Sequence, residues 1–315
     1  MREQYQNNSK QNTPPLFGAP TKAKGAGIAF SLSSMLATVL LFIVILVLGI
    51  FGPTKEGYQH NDWYIYLCYI LPQAASALIV VFYLRYTQTP IRQAVRKQKC
   101  HYKYLLLGVA LQFGLLSLSE LNGLFVTFLE RFGYKASNVV LPSTDGFGFI
   151  GVFFVVAITA PIAEELLFRG VILDGLQSGF STLASAVICG AVFSLYHQNP
   201  VQTAYQFCCG VAYGVLAVRA GGVLPTTLAH FLNNAFILVL NQCGVSAFPK
   251  AVFIPLMIVS GLCLIATLVY LLFFDKKQEQ NGDKTERKTE KKRFFAFASV
   301  GLAICAITWI AGLFA

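Results

Sequence analysis

The chain is 315 residues long, 56% hydrophobic and only 12% charged, with a mean hydropathy of +0.61. A soluble domain usually carries about 25% charged residues, so a water-soluble globule is excluded and the pattern is that of an all-α polytopic membrane helix bundle. The net charge of +10 is gathered in the connecting segments, where it argues for topology and lipid headgroups and against a nucleic-acid surface.

Residues 1–27 are rich in Gln, Asn, Pro and Lys, lack periodicity and read as a disordered cytoplasmic tail. Apolar runs long enough to span, roughly 18 residues or more, fall at 28–52, 63–84, 104–129, 148–173, 180–197, 201–218, 222–242, 251–274 and 294–315. The fifth and sixth are short and interrupted by Gly, Gln and His, so eight or nine transmembrane helices are expected. The first run is too long for a signal peptide and lacks a small-residue cleavage site. Lys and Arg concentrate in the tail (Arg2, Lys10, Lys22, Lys24), in 85–103 and in 276–293, whereas 52–62, 130–147 and 244–250 carry few. This asymmetry predicts a multi-pass protein of the cell membrane with a cytoplasmic N-terminus.

Taken in order, 28–147 reads as an N-terminal transmembrane scaffold. It includes a basic connection, 85–103, with the makings of a short surface helix. The third span contains Gln112, Ser117, Ser119, Glu120 and Asn122. Glu120 is expected near the outer interface or lining a cavity with Asn122. Residues 148–245 form the core segment, 246–274 a scaffold helix, 275–293 a charged cytoplasmic linker and 294–315 a C-terminal span. Gly190 with Ala191, and Gly210 with Gly214, give small-residue spacings that allow close helix approach. The eight cysteines have no C-x-x-C spacing and read as small hydrophobes.

The stretch from Ala160 to Gly170 organises the rest. It places Glu164, Glu165 and Arg169 inside an apolar run, although an acid at mid-membrane costs about 2.5–3.5 kcal/mol on insertion scales. Glu165 and Arg169 are four apart and can pair on one helical face. Glu164 points about 100° away and needs another partner. Pro161, three residues earlier, kinks the helix and frees a carbonyl, which suggests a hydrated pocket. Of four histidines, His60 and His101 lie in hydrophilic connections. His197 and His230 lie in or at the ends of apolar runs, His197 four residues after Phe193 and His230 four before Asn234, with Asn233 near the same face.

Two chemistries suit this set. Neutral imidazoles and a carboxylate (Glu164, His197, His230) are a ligand set for zinc with an open position for water. Without metal, Glu164 can act as general base with a histidine helper, and the Asn234 amide can meet an oxyanion. In order and type, Glu164-Glu165-x-x-x-Arg169, Phe193-x-x-x-His197 and His230-x-x-x-Asn234 resemble the three motifs of the CPBP family of intramembrane proteases, over roughly 145–245. That family includes CAAX prenyl proteases and bacteriocin-processing or self-immunity (Abi-type) proteins. The resemblance implies hydrolysis of a peptide bond in a peptide or membrane-anchored protein, with Glu164 and His197 activating water. His230 and Asn234 would complete the site by binding metal or stabilising the oxyanion, and Glu165 and Arg169 would form the structural pair. It implies a divalent metal such as zinc for most members, with a metal-free glutamate mechanism as the other option.

Two further classes compete: a membrane protein that captures a peptide without cutting it, and an ion-coupled transporter using the same residues as a relay. Against the transporter stand the absence of an internal repeat and the acid spent on a local pair. One placement is awkward. At 1.5 Å per residue, Glu164 lies about 24 Å and His230 about 12 Å into their spans, both towards the cytoplasmic half. His197, at the far end of its span, would land near the outer face unless that span is tilted and broken at Gly190, or its boundaries lie elsewhere. Oligomeric state is not legible.

Overall fold

The computed structural model describes residues 22–51, 61–95, 100–136, 140–245, 247–275 and 284–314. Among them there are nine helices of more than ten residues and no strand: α1 (Lys22–Phe51), α2 (Asp62–Tyr86), α3 (Tyr102–Glu130), α4 (Gly148–Gln177), α5 (Thr182–Tyr196), α6 (Thr203–Ala220), α7 (Leu224–Gln242), α8 (Lys250–Phe274) and α9 (Lys284–Ala311). Seven are long and apolar enough to cross a membrane, α6 with the turn that precedes it; the other two are α5 and α7. The chain is therefore an all-α, multi-pass membrane bundle.

Its polarity runs inside out, as a bilayer requires. Phe42, Leu78, Leu106, Ile258, Leu262 and Ile307 face outward, while Ser33, Ser76, Gln112 and Asn233 are buried. Inter-helix hydrogen bonds replace the water that hydrocarbon cannot supply. The Tyr196 hydroxyl meets Ser33 Oγ at 3.1 Å and Ser76 Oγ at 2.9 Å, joining α5 to α1 and α2. Ser31 donates to the Phe297 carbonyl and ties α1 to α9.

Helix α1 begins at Lys22, so residues 22–27 of the expected tail are helical; 1–21 lie outside the described residues. At the other end α9 begins at Lys284, ten residues before the apolar run, since Lys, Glu and Arg are good helix formers with no Gly or Pro to stop them. Of the expected surface helix only Ile91–Val95 is seen, and 96–99 lie outside the described residues. Glu120 is exposed and lines a cavity with Asn122, as one of its two readings required.

Helix α5 settles the placement of His197. It has 15 residues, about 22 Å at 1.5 Å each, against a hydrocarbon core of about 30 Å. It stops part-way across, and His197 caps it from inside the bundle. The helix runs unbroken through Gly190. That glycine instead lets α6 approach: a Cβ on Gly190 would come within 2.7 Å of the Val211 nitrogen, and one on Gly210 within 2.6 Å of Gly190 Cα. Backbone cannot yield as a side-chain tip can. Gly210→Ala is expected to lower stability by about 1–3 kcal/mol, measured by thermal unfolding in detergent.

Helix α4 is widened twice, with π-helical turns at Phe153–Thr159 and Leu166–Ile172 on either side of the Pro161 turn. Such turns leave carbonyls for other donors. Val155 O accepts from Gln73 Nε2 of α2, and Val156 O accepts from Asn234 Nδ2 of α7. Val155 O also holds the Ala160 backbone N–H, whereas at Val156 O the side chain of Asn234 is the donor.

Candidate active site

Between the two widened turns lie Glu164 and Glu165. Glu165 points inward and its side chain is wholly buried with that of Arg169, the two meeting at 2.7 Å. A buried ion pair repays its desolvation only when its remaining polar atoms are also met. Here the guanidinium stacks over Phe193 at 4.4 Å and Tyr213 at 5.3 Å and donates from α4 to Gly210 O on α6, while its Nε and Oε2 of Glu165 are bonded to no protein group. The pair read from the spacing is therefore present. Glu165 does more than pair locally, because its Oε1 also lies 3.0 Å from Nδ1 of His230.

Glu164 is turned to the neighbouring face and its side chain stays 17% exposed. Its Oε2 is buried and bonded to no protein group, 3.9 Å from His230 Nε2. That gap is too wide for a direct hydrogen bond. It suits a water held by both atoms. His230 thus stands between the two acids, each ring nitrogen facing one.

His197 is oriented from its own helix, with Nδ1 2.8 Å from the Phe193 carbonyl. A carbonyl only accepts, so Nδ1 carries the hydrogen and the neutral ring presents the Nε2 lone pair. The same reasoning with the Glu165 carboxylate leaves a lone pair on Nε2 of His230. Both imidazoles pack on the Phe193 ring, at 4.8 and 6.0 Å between centroids. Glu164 is close enough for its charge to act on His197.

Asn234 donates one amide hydrogen to Val156 O and accepts from Asn233 Nδ2. Asn233 Oδ1 in turn accepts from Gln112 Nε2 and from the Tyr205 hydroxyl, both at 2.9 Å. Gln112 Oε1 takes the Tyr213 hydroxyl at 2.5 Å, and the Tyr213 ring lies 5.9 Å from that of His230. Gln112 had been visible only as one polar residue of the third span. Tyr205 and Tyr213 carried no signal, because an aromatic in an apolar run reads as packing.

Two imidazoles anchored through Nδ1 to a carbonyl and a carboxylate are how metal-binding histidines are held. Yet among the described residues no three His, Cys, Asp or Glu side chains are grouped to hold a metal ion. As arranged, Glu164, His197 and His230 are not grouped as a ligand set. All eight cysteines are free thiols.

No curated protein and no solved structure matches the chain. A family model does, over residues 146–236: type II CAAX prenyl endopeptidase, Rce1-like. It spans the Glu164–Arg169, Phe193–His197 and His230–Asn234 segments together, and with them most of the contacts just described. Through these residues the chain carries a segment, 146–236, that is similar to the type II CAAX prenyl endopeptidases.

Proposed function

We propose that the chain is an intramembrane endopeptidase that hydrolyses a peptide bond of a membrane-associated substrate with a water activated by Glu164. The observation that carries this reading is the unpaired Oε2 of Glu164 facing Nε2 of His230 at 3.9 Å. A water between them would give one proton to the carboxylate while the imidazole lone pair accepts the other hydrogen bond, leaving an oxygen lone pair for the carbonyl carbon. Glu165 holds His230 in the tautomer that this needs. His197 takes that proton from Glu164 on its free Nε2 and gives it to the leaving amine. Asn234, with one of its two amide hydrogens spent on Val156, keeps the second for the developing oxyanion, a contact worth about 3–4 kcal/mol where well placed.

The basic connections support a cytoplasmic N-terminus. A prenylated C-terminal peptide is the substrate class that the Rce1-like match favours. The test is a peptide library, prenylated and unprenylated, presented to proteoliposomes and to empty liposomes, with products read by mass spectrometry. Products from the proteoliposomes alone support the reading, and a parallel arm with a chelator asks whether a metal contributes. Peptides retained by the protein and recovered uncut would instead mark a capture protein.

A further inference from the structure

We propose that Gln112, which lies on α3 outside the family match, is a positioning residue of this site; the inference rests on the hydrolase reading above. One hydrogen-bond chain fixes the direction of every link. Its end at Val156 O can only accept, so Asn234 must present Nδ2 there and Oδ1 to Asn233. Asn233 must then turn Oδ1 towards α3 and α6, where it takes Gln112 Nε2 and the Tyr205 hydroxyl. Gln112 is left with Oε1 for the Tyr213 hydroxyl. Each link leaves the next a single orientation.

Gln112 joins the two halves of the site. Through Asn233 it sets the amide of Asn234. Through Tyr213 it sets the ring on which His230 and Arg169 both pack, at 5.9 and 5.3 Å. Gln112, Asn233 and Tyr213 are 4%, 6% and 1% exposed, so no solvent competes and a lost partner is not replaced. Asn233 and Tyr205 also line a cavity of about 540 Å³ between α3, α6, α7 and α8.

The experiment compares Gln112→Met, which keeps the volume and removes both bonds, with Tyr213→Phe, which removes one of them from the other side, and with the double variant. Ser31→Ala, which cuts the α1–α9 tie, serves as a control of equal polarity loss. Expected are a fall in kcat of roughly tenfold for each single variant, the scale of one buried hydrogen bond, with KM held within about twofold and little added by combining them. In histidine ¹⁵N-labelled protein in micelles, the His230 imidazole resonances should move in both variants and stay in Ser31→Ala. A rise in KM at unchanged kcat, additive losses, or an unmoved His230 resonance would overturn the assignment. The resonance needs no substrate, so it judges the positioning role even if wild type cleaves nothing and the hydrolase reading falls.

Discussion

Arg169→Met is expected to cost about 3–5 kcal/mol of stability, because it strands Glu165 as a fully buried charge. The pair has no exposure on either side chain, so water cannot take the place of the guanidinium. Arg169→Lys should recover little: an ammonium cannot reach Glu165 and Gly210 O while stacking flat on Phe193 and Tyr213. Glu165→Gln combined with Arg169→Met removes both charges and should restore much of the loss, since a neutral pair avoids the desolvation of two ions. Thermal unfolding in detergent reads all three variants. Activity should not follow stability in the double variant, because Glu165 also fixes Nδ1 of His230. A double variant no more stable than Arg169→Met would deny that charge burial is the issue.

His230→Gln is expected to lower kcat by roughly two to four orders of magnitude, the range of a lost acid–base group. His230 offers Nε2 to Glu164 only because Nδ1 is held by Glu165. A glutamine amide can lie in the same slot, yet it has no lone pair of imidazole basicity to offer the water. KM should change little, as no contact with a substrate backbone is removed. Steady-state kinetics on a peptide from the library checks the split, and a KM effect alone would move His230 from water activation to substrate binding.

What was legible in the sequence was whatever depends on spacing along one helix. Glu165 and Arg169 pair because four residues make about one turn, and His197 finds the Phe193 carbonyl for the same reason. The small residues at 190 and 210 marked close helix approach, but not that these two glycines meet each other. The depth of His197 was not legible, since hydropathy alone does not separate a short span from a 15-residue helix that stops inside the bundle. Nor was the second role of Glu165, or the Gln112 chain. Both join helices more than sixty residues apart, and periodicity carries no information across such a gap.

Glu164 is the acid that the fold does not use, and its substitution separates chemistry from stability. Its Oε2 is bonded to no protein group, and such a buried oxygen is costly to the folded state. Glu164→Gln should therefore melt at or slightly above the wild-type temperature. Cleavage of a library-derived peptide in liposomes should at the same time fall about a thousandfold in kcat/KM. Equal rates for the two proteins would contradict the assignment of this carboxylate as the base.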